Sequence, residues 1–67
     1  MFIILNGKIT KLPNGCITIN DLVKRKKWNQ GSLIVEYNNQ LAKKDAWPSI
    51  ILKENDRLEI LKFVGGG

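Results

Sequence analysis

The chain has 67 residues, a net charge of +5, no histidine and a single cysteine. A chain this short buries only about 60% of the surface that its unfolded form exposes, so it supports one core with little room for a substrate cavity. The composition excludes a nucleophile–histidine pair, a histidine metal site, an internal disulfide and a thiolate cluster, and no apolar run approaches the ~18–20 residues of a membrane span.

Met1 to Leu5 is a dense apolar run, and Lys8 to Leu12 follows it across Asn6-Gly7. Asn-Gly between two strand-like runs predicts a type I′ hairpin, because both residues tolerate positive φ. The first run is apolar on both faces and is expected to sit centrally in a sheet. In the second, Ile9 alternates with Lys8 and Thr10, which predicts one wet face. Pro13-Asn14-Gly15 reads as a turn, and Cys16 just after it as a structural residue, since nothing nearby would lower its pKa.

Thr18 to Asp21 has the form of a helix N-cap with an acid three residues on. Ile19, Leu22 and Val23 then share one helical face, and Lys24 to Lys27 give the helix a basic end, which suits the partial negative charge there. Gly31 is the expected stop, with Trp28 covering the edge of the core. Leu33 to Tyr37 reads as a strand, Asn38-Asn39 as a turn, and Gln40 to Ala42 as a short return strand. Lys43 to Trp47 is expected to form one helical turn ended by Pro48. After the short apolar Ile50 to Leu52, Lys53 to Asp56 forms a polar turn and Arg57 to Val64 the last strand.

There is no repeat, linker or second domain. A hairpin, a crossing helix and further strands allow the last strand to return beside the first and parallel to it. This is an α+β fold of the β-grasp arrangement, a small mixed sheet with one main helix packed across one face. The domain is expected to span residues 1–64.

The chain closes with Gly65-Gly66-Gly67. Such a tail predicts a flexible arm without side chains, able to enter a narrow channel and ending in a carboxylate. A frayed end, or a remnant without function, is the plain alternative. In the last strand, Leu58 and Ile60 alternate with Glu59 to give one buried face. Leu61 and Phe63 then fall on the other face, either as an exposed patch beside the tail or under a bulge or second covering layer. The excess charge comes mainly from Lys24 to Lys27, which fits a solvated helix face better than a nucleic-acid site.

The pieces Met1 to Gly7, Thr18 to Leu22, Leu33 to Asn38, Trp47, and Asn55 to Leu61 running into Phe63 to Gly67, taken in this order, resemble the ThiS-type sulfur carrier proteins of thiamine biosynthesis over essentially the whole chain. The resemblance implies a ubiquitin-like β-grasp protein that is not an enzyme and binds no cofactor or metal of its own. It implies that a ThiF-like adenylating enzyme activates the Gly67 carboxylate with ATP and Mg²⁺. A cysteine desulfurase or another persulfide donor then supplies sulfur, and the resulting thiocarboxylate passes it to thiazole synthase. Gly66, with Gly65 as an extension, would be needed for passage through the partner's channel; Leu61, Phe63 and Val64 would form the docking surface. The small subunit of molybdopterin synthase and ubiquitin-like modifiers share the tail logic, while a basic TGS-like RNA-binding module is the alternative from another class. The expected location is the cytoplasm, or an organelle stroma for a plastid-encoded chain.

Overall fold

The computed structural model describes residues 1–63. Phe2–Leu5 (β1) and Lys8–Lys11 (β2) form the first hairpin, and Asn6 and Gly7 both take positive φ, 50° and 81°, as its type I′ turn requires. The helix Ile19–Arg25 (α1) crosses to Leu33–Tyr37 (β3), which pairs with the short Gln40–Ala42 (β4). The last strand, Arg57–Lys62 (β5), completes a five-stranded sheet in the order β2-β1-β5-β3-β4. β5 runs parallel to β1 and antiparallel to β3, the pairing expected from the crossover. β5 takes the middle position, and β1, flanked by β2 and β5, is an interior strand as expected.

One face of this sheet carries the core. Ile3, Val35, Leu58 and Ile60 point towards α1, whose Ile19, Leu22 and Val23 are buried against them. Trp47 fills the remaining corner at 1% exposure, with its indole N–H donating to the Ala42 carbonyl at 2.8 Å. The helix starts where its chemistry demands. The Thr18 hydroxyl accepts from the Asp21 N–H at 3.1 Å, and the Asp21 carboxylate accepts in return from the N–H groups of Thr18 and Ile17, both at 2.9 Å.

The other face has no covering layer among the described residues, and this changes several expectations. β1 is apolar on both sides, yet only Ile3 is fully buried while Phe2 is exposed. Ile9 is 79% exposed instead of facing the core. Register explains this: Ile3 pairs with Thr10 and Ile4 with Ile9, so once Ile3 takes the core side Ile9 must take the open one.

Two terminators also differ from the reading. α1 ends at Arg25, well before Gly31, because the chain makes a Schellman cap: the Trp28 N–H donates to the Val23 carbonyl and the Lys27 N–H to Lys24, with Lys27 in the left-handed region at φ 58°. Gly31 instead sits inside a short 3-10 turn, Gln30–Ser32. Pro48 lies within the 3-10 helix Lys44–Ser49 and does not end it. The φ of a 3-10 helix matches the proline ring, and its i−3 bonding avoids the clash with the i−4 carbonyl that breaks an α-helix.

Candidate functional site

β5 leads towards the glycine-rich end of the sequence and is fixed along its length. Its start is anchored by Asp56, a buried carboxylate that accepts from the Tyr37 hydroxyl at 2.9 Å, the Asn38 amide at 3.2 Å and the Lys53 N–H at 2.8 Å. Burial, and then this carboxylate, push the Tyr37 phenol above its usual range. Along the strand, Ile60 donates to the Asn6 side-chain oxygen at 2.7 Å, so the hairpin turn itself holds β5 after the pairing with β1 has ended. Beyond the strand, Phe63 still donates to the Ser32 carbonyl at 2.8 Å. The chain is therefore held from the side of the first hairpin at Ile60, by β3 as far as Lys62, and by Ser32 at Phe63. The anchoring roles of Asp56 and Asn6 were not evident in sequence, because each acts on strand segments far from its own turn.

The pairing Val35–Ile60, Ile34–Leu61 and Leu33–Lys62 is regular, with no bulge. Leu61 therefore lies on the open face and is 56% exposed, while Phe63 is 55% exposed beside the last hydrogen bond. The strand closes at Lys62, not Val64. Val64, Gly65, Gly66 and Gly67, the remaining residues singled out from the sequence, lie outside the described residues. Phe2, Ile9 and Leu41 are exposed on the same face as Leu61, an apolar surface larger than sequence reasoning assigned. The signal for it was the two-sided apolar character of β1.

No other feature of the described residues suggests chemistry performed by the chain. Burial pushes the Cys16 thiol up, and the Asp21 carboxylate adds to this, so the nucleophilic thiolate is disfavoured. No group of three or more metal-ligating side chains occurs among the described residues, and none of the described helices is long and apolar enough to cross a membrane.

A sequence model described as the ThiS family matches residues 3–67. The chain belongs to the ThiS family. Its relatives agree with this. The sulfur carrier protein ThiS of Bacillus subtilis (strain 168) is 36% identical over 63 residues, which cover 94% of this chain and 96% of that protein. The ycf40 protein of Trieres chinensis is 39% identical, with 94% and 85% covered. The crystal structure of a thiamine biosynthesis protein, ThiS of Geobacter metallireducens, superimposes with a TM-score of 0.82 at 28% identity over the whole of both chains. A solution structure from the same organism gives 0.80 at 28% identity, covering all of this chain and 88% of the other. The resemblance seen in the sequence and the β-grasp fold are both borne out, and the ThiS family is that of the sulfur carrier proteins of thiamine biosynthesis.

Proposed function

We propose that this ThiS protein carries sulfur on its C-terminal carboxylate, as a cosubstrate whose chemistry is performed by partner enzymes. A carboxylate is a poor electrophile. In the proposed reaction a ThiF-like enzyme transfers AMP from Mg²⁺-bound ATP to the Gly67 carboxylate, and pyrophosphate leaves. The terminal sulfur of a persulfide, formed by a cysteine desulfurase, attacks the acyl carbon and displaces AMP. A thiol then attacks the bridging sulfur pair and leaves as a disulfide with the donor, releasing the thiocarboxylate. Thiazole synthase takes its sulfur from that group.

The observation that carries this reading is the family match, which continues through Gly67, four positions along the sequence from the hydrogen-bonded Phe63. In this reading Gly65 and Gly66 thread the partner's channel. Leu61, Phe63 and Val64 dock against its entrance, joined by Phe2, Ile9 and Leu41 on the open face. The setting is the cytoplasm or an organelle stroma.

The test is intact mass spectrometry after incubation with ATP, Mg²⁺, the adenylating partner and a persulfide donor. The expected product is heavier by the exchange of one oxygen for sulfur, located at Gly67. A variant lacking Gly67 is expected to stay folded and remain unmodified. Gel-resistant adducts on lysines of other proteins, without a thiocarboxylate, would favour a modifier instead.

A further inference from the structure

On the helix side of the sheet, next to the point where the described chain ends, lies a groove of about 320 Å³ bordered by Lys27, Trp28, Ser32, Leu33, Lys62 and Phe63. Of the docking surface read from the sequence it shares only Phe63, and its Lys62 lies on the opposite side of β5 from Leu61. Lys62 shares the face of Leu58 and Ile60, and its ammonium stands 5.6 Å from the centroid of the Trp28 ring. The groove thus combines the Trp28 ring with two lysines, Lys27 and Lys62, on its border.

Three observations indicate that it receives an anionic partner. First, no side-chain carboxylate among the described residues borders it. Asp21 is engaged at the start of α1, Glu54 accepts from the Phe2 N–H, and Asp56 is turned inward to Tyr37. Glu36 and Glu59 are paired across β3 and β5 on the other face. Second, Lys27 holds a left-handed conformation, whereas every other positive-φ residue among those described is asparagine or glycine. A helix cap at this position normally uses glycine, and a residue kept in a disfavoured backbone region points to a use for its side chain. Third, the groove adjoins the tail. Only three residues lie between Phe63 and Gly67, so the two are at most about 14 Å apart. A protein that encloses Gly67 must therefore also cover the surroundings of Phe63.

We infer that this groove docks an acidic segment at the channel entrance of the adenylating enzyme, so that the enzyme grips β5 by an apolar contact on one face and an electrostatic contact on the other. The inference rests on the proposal that Gly67 is adenylated. Nucleic acid fits the same surface less well. A backbone-tracking site needs a continuous path of cations, whereas Arg25 of the basic run is turned away to donate to the Asn14 carbonyl at 2.6 Å.

The experiment measures adenylate formation by the cognate adenylating enzyme with full-length wild-type protein, the double variant Lys27→Glu/Lys62→Glu, and Lys27→Gly. The double variant is expected to raise KM about tenfold in about 50 mM salt with kcat unchanged, and the difference should shrink at about 500 mM. Lys27→Gly should melt at a higher temperature than wild type and still show a raised KM, since relief of the backbone and loss of the cation act in opposite directions. A folded double variant with wild-type KM overturns the groove assignment while leaving the sulfur-carrier reading intact. Wild-type protein that is not adenylated at all overturns that reading, and this inference with it. Charge-dependent binding of a single-stranded RNA oligonucleotide, abolished in the double variant whose KM is normal, would assign the groove to nucleic acid instead.

Discussion

The two faces of the sheet are both rich in apolar side chains, but they serve different ends. On the covered face Ile3, Val35 and Leu58 are almost completely buried under α1 and Trp47, whereas on the open face Phe2, Ile9, Leu41 and Leu61 remain exposed. Hydrophobic residues in alternating strand positions therefore do not by themselves identify a core. In this small domain one layer of helix suffices to cover one face, and the apolar surface left over is available for association. The contrast implies that substitutions on the covered face cost stability and those on the open face cost function.

The largest effect should come from Trp47→Ala on the covered side, with a loss of about 3–5 kcal/mol. A domain of this length has on the order of 3–10 kcal/mol in total, so urea unfolding and circular dichroism should show a largely unfolded or barely stable protein. If the variant unfolds like wild type, the division between faces is wrong. Asp56→Ala should follow, at about 1–3 kcal/mol, because it leaves the Tyr37 hydroxyl and the Lys53 N–H without their acceptor. Thr18→Ala removes the helix cap and should cost about 1 kcal/mol in the same assay.

Acid should act through the same helix start. Backbone hydrogen bonds from Thr18 and Ile17 hold the Asp21 carboxyl below its ordinary value. A lowered folded-state pKa contributes stability that is present above the unfolded value of about 4 and is lost as pH falls through the folded value. Urea midpoints measured from about pH 5 down to 2 should therefore decline, and they should decline less in Asp21→Asn. The smallest change in stability belongs to Leu61→Ser on the open face, within about 0.5 kcal/mol of wild type. The same variant should slow thiocarboxylate formation, as followed by intact mass, and normal formation would remove Leu61 from the docking surface.

Much of the architecture was legible because its signals are local. Asn6-Gly7 can hardly be anything but a tight hairpin turn, Thr18 and Asp21 carry the whole chemistry of a helix start, and Leu58 and Ile60 declare the inward face of β5 by simple alternation. The basic end of α1 was also visible, although its cap was not: Lys27 adopts a conformation that sequence statistics assign to glycine, so the stop was placed at Gly31. Of the candidate site, Leu61 and Phe63 were found by alternation, whereas Phe2, Ile9 and Leu41 were not, since the face that a short strand's residues take depends on its register with a partner.

The sequence alone thus determined the element types, the parallel return of the last strand and, through the order of its motifs ending in glycine, the family. Tertiary structure decided what depends on residues distant along the chain. It turned Ile9 outward, gathered Tyr37, Asn38 and Lys53 around Asp56, and brought Lys62 over Trp28. The reason is physical: turns and caps are closed by atoms a few residues apart, whereas burial and charge neighbourhoods are fixed only when whole strands choose their partners.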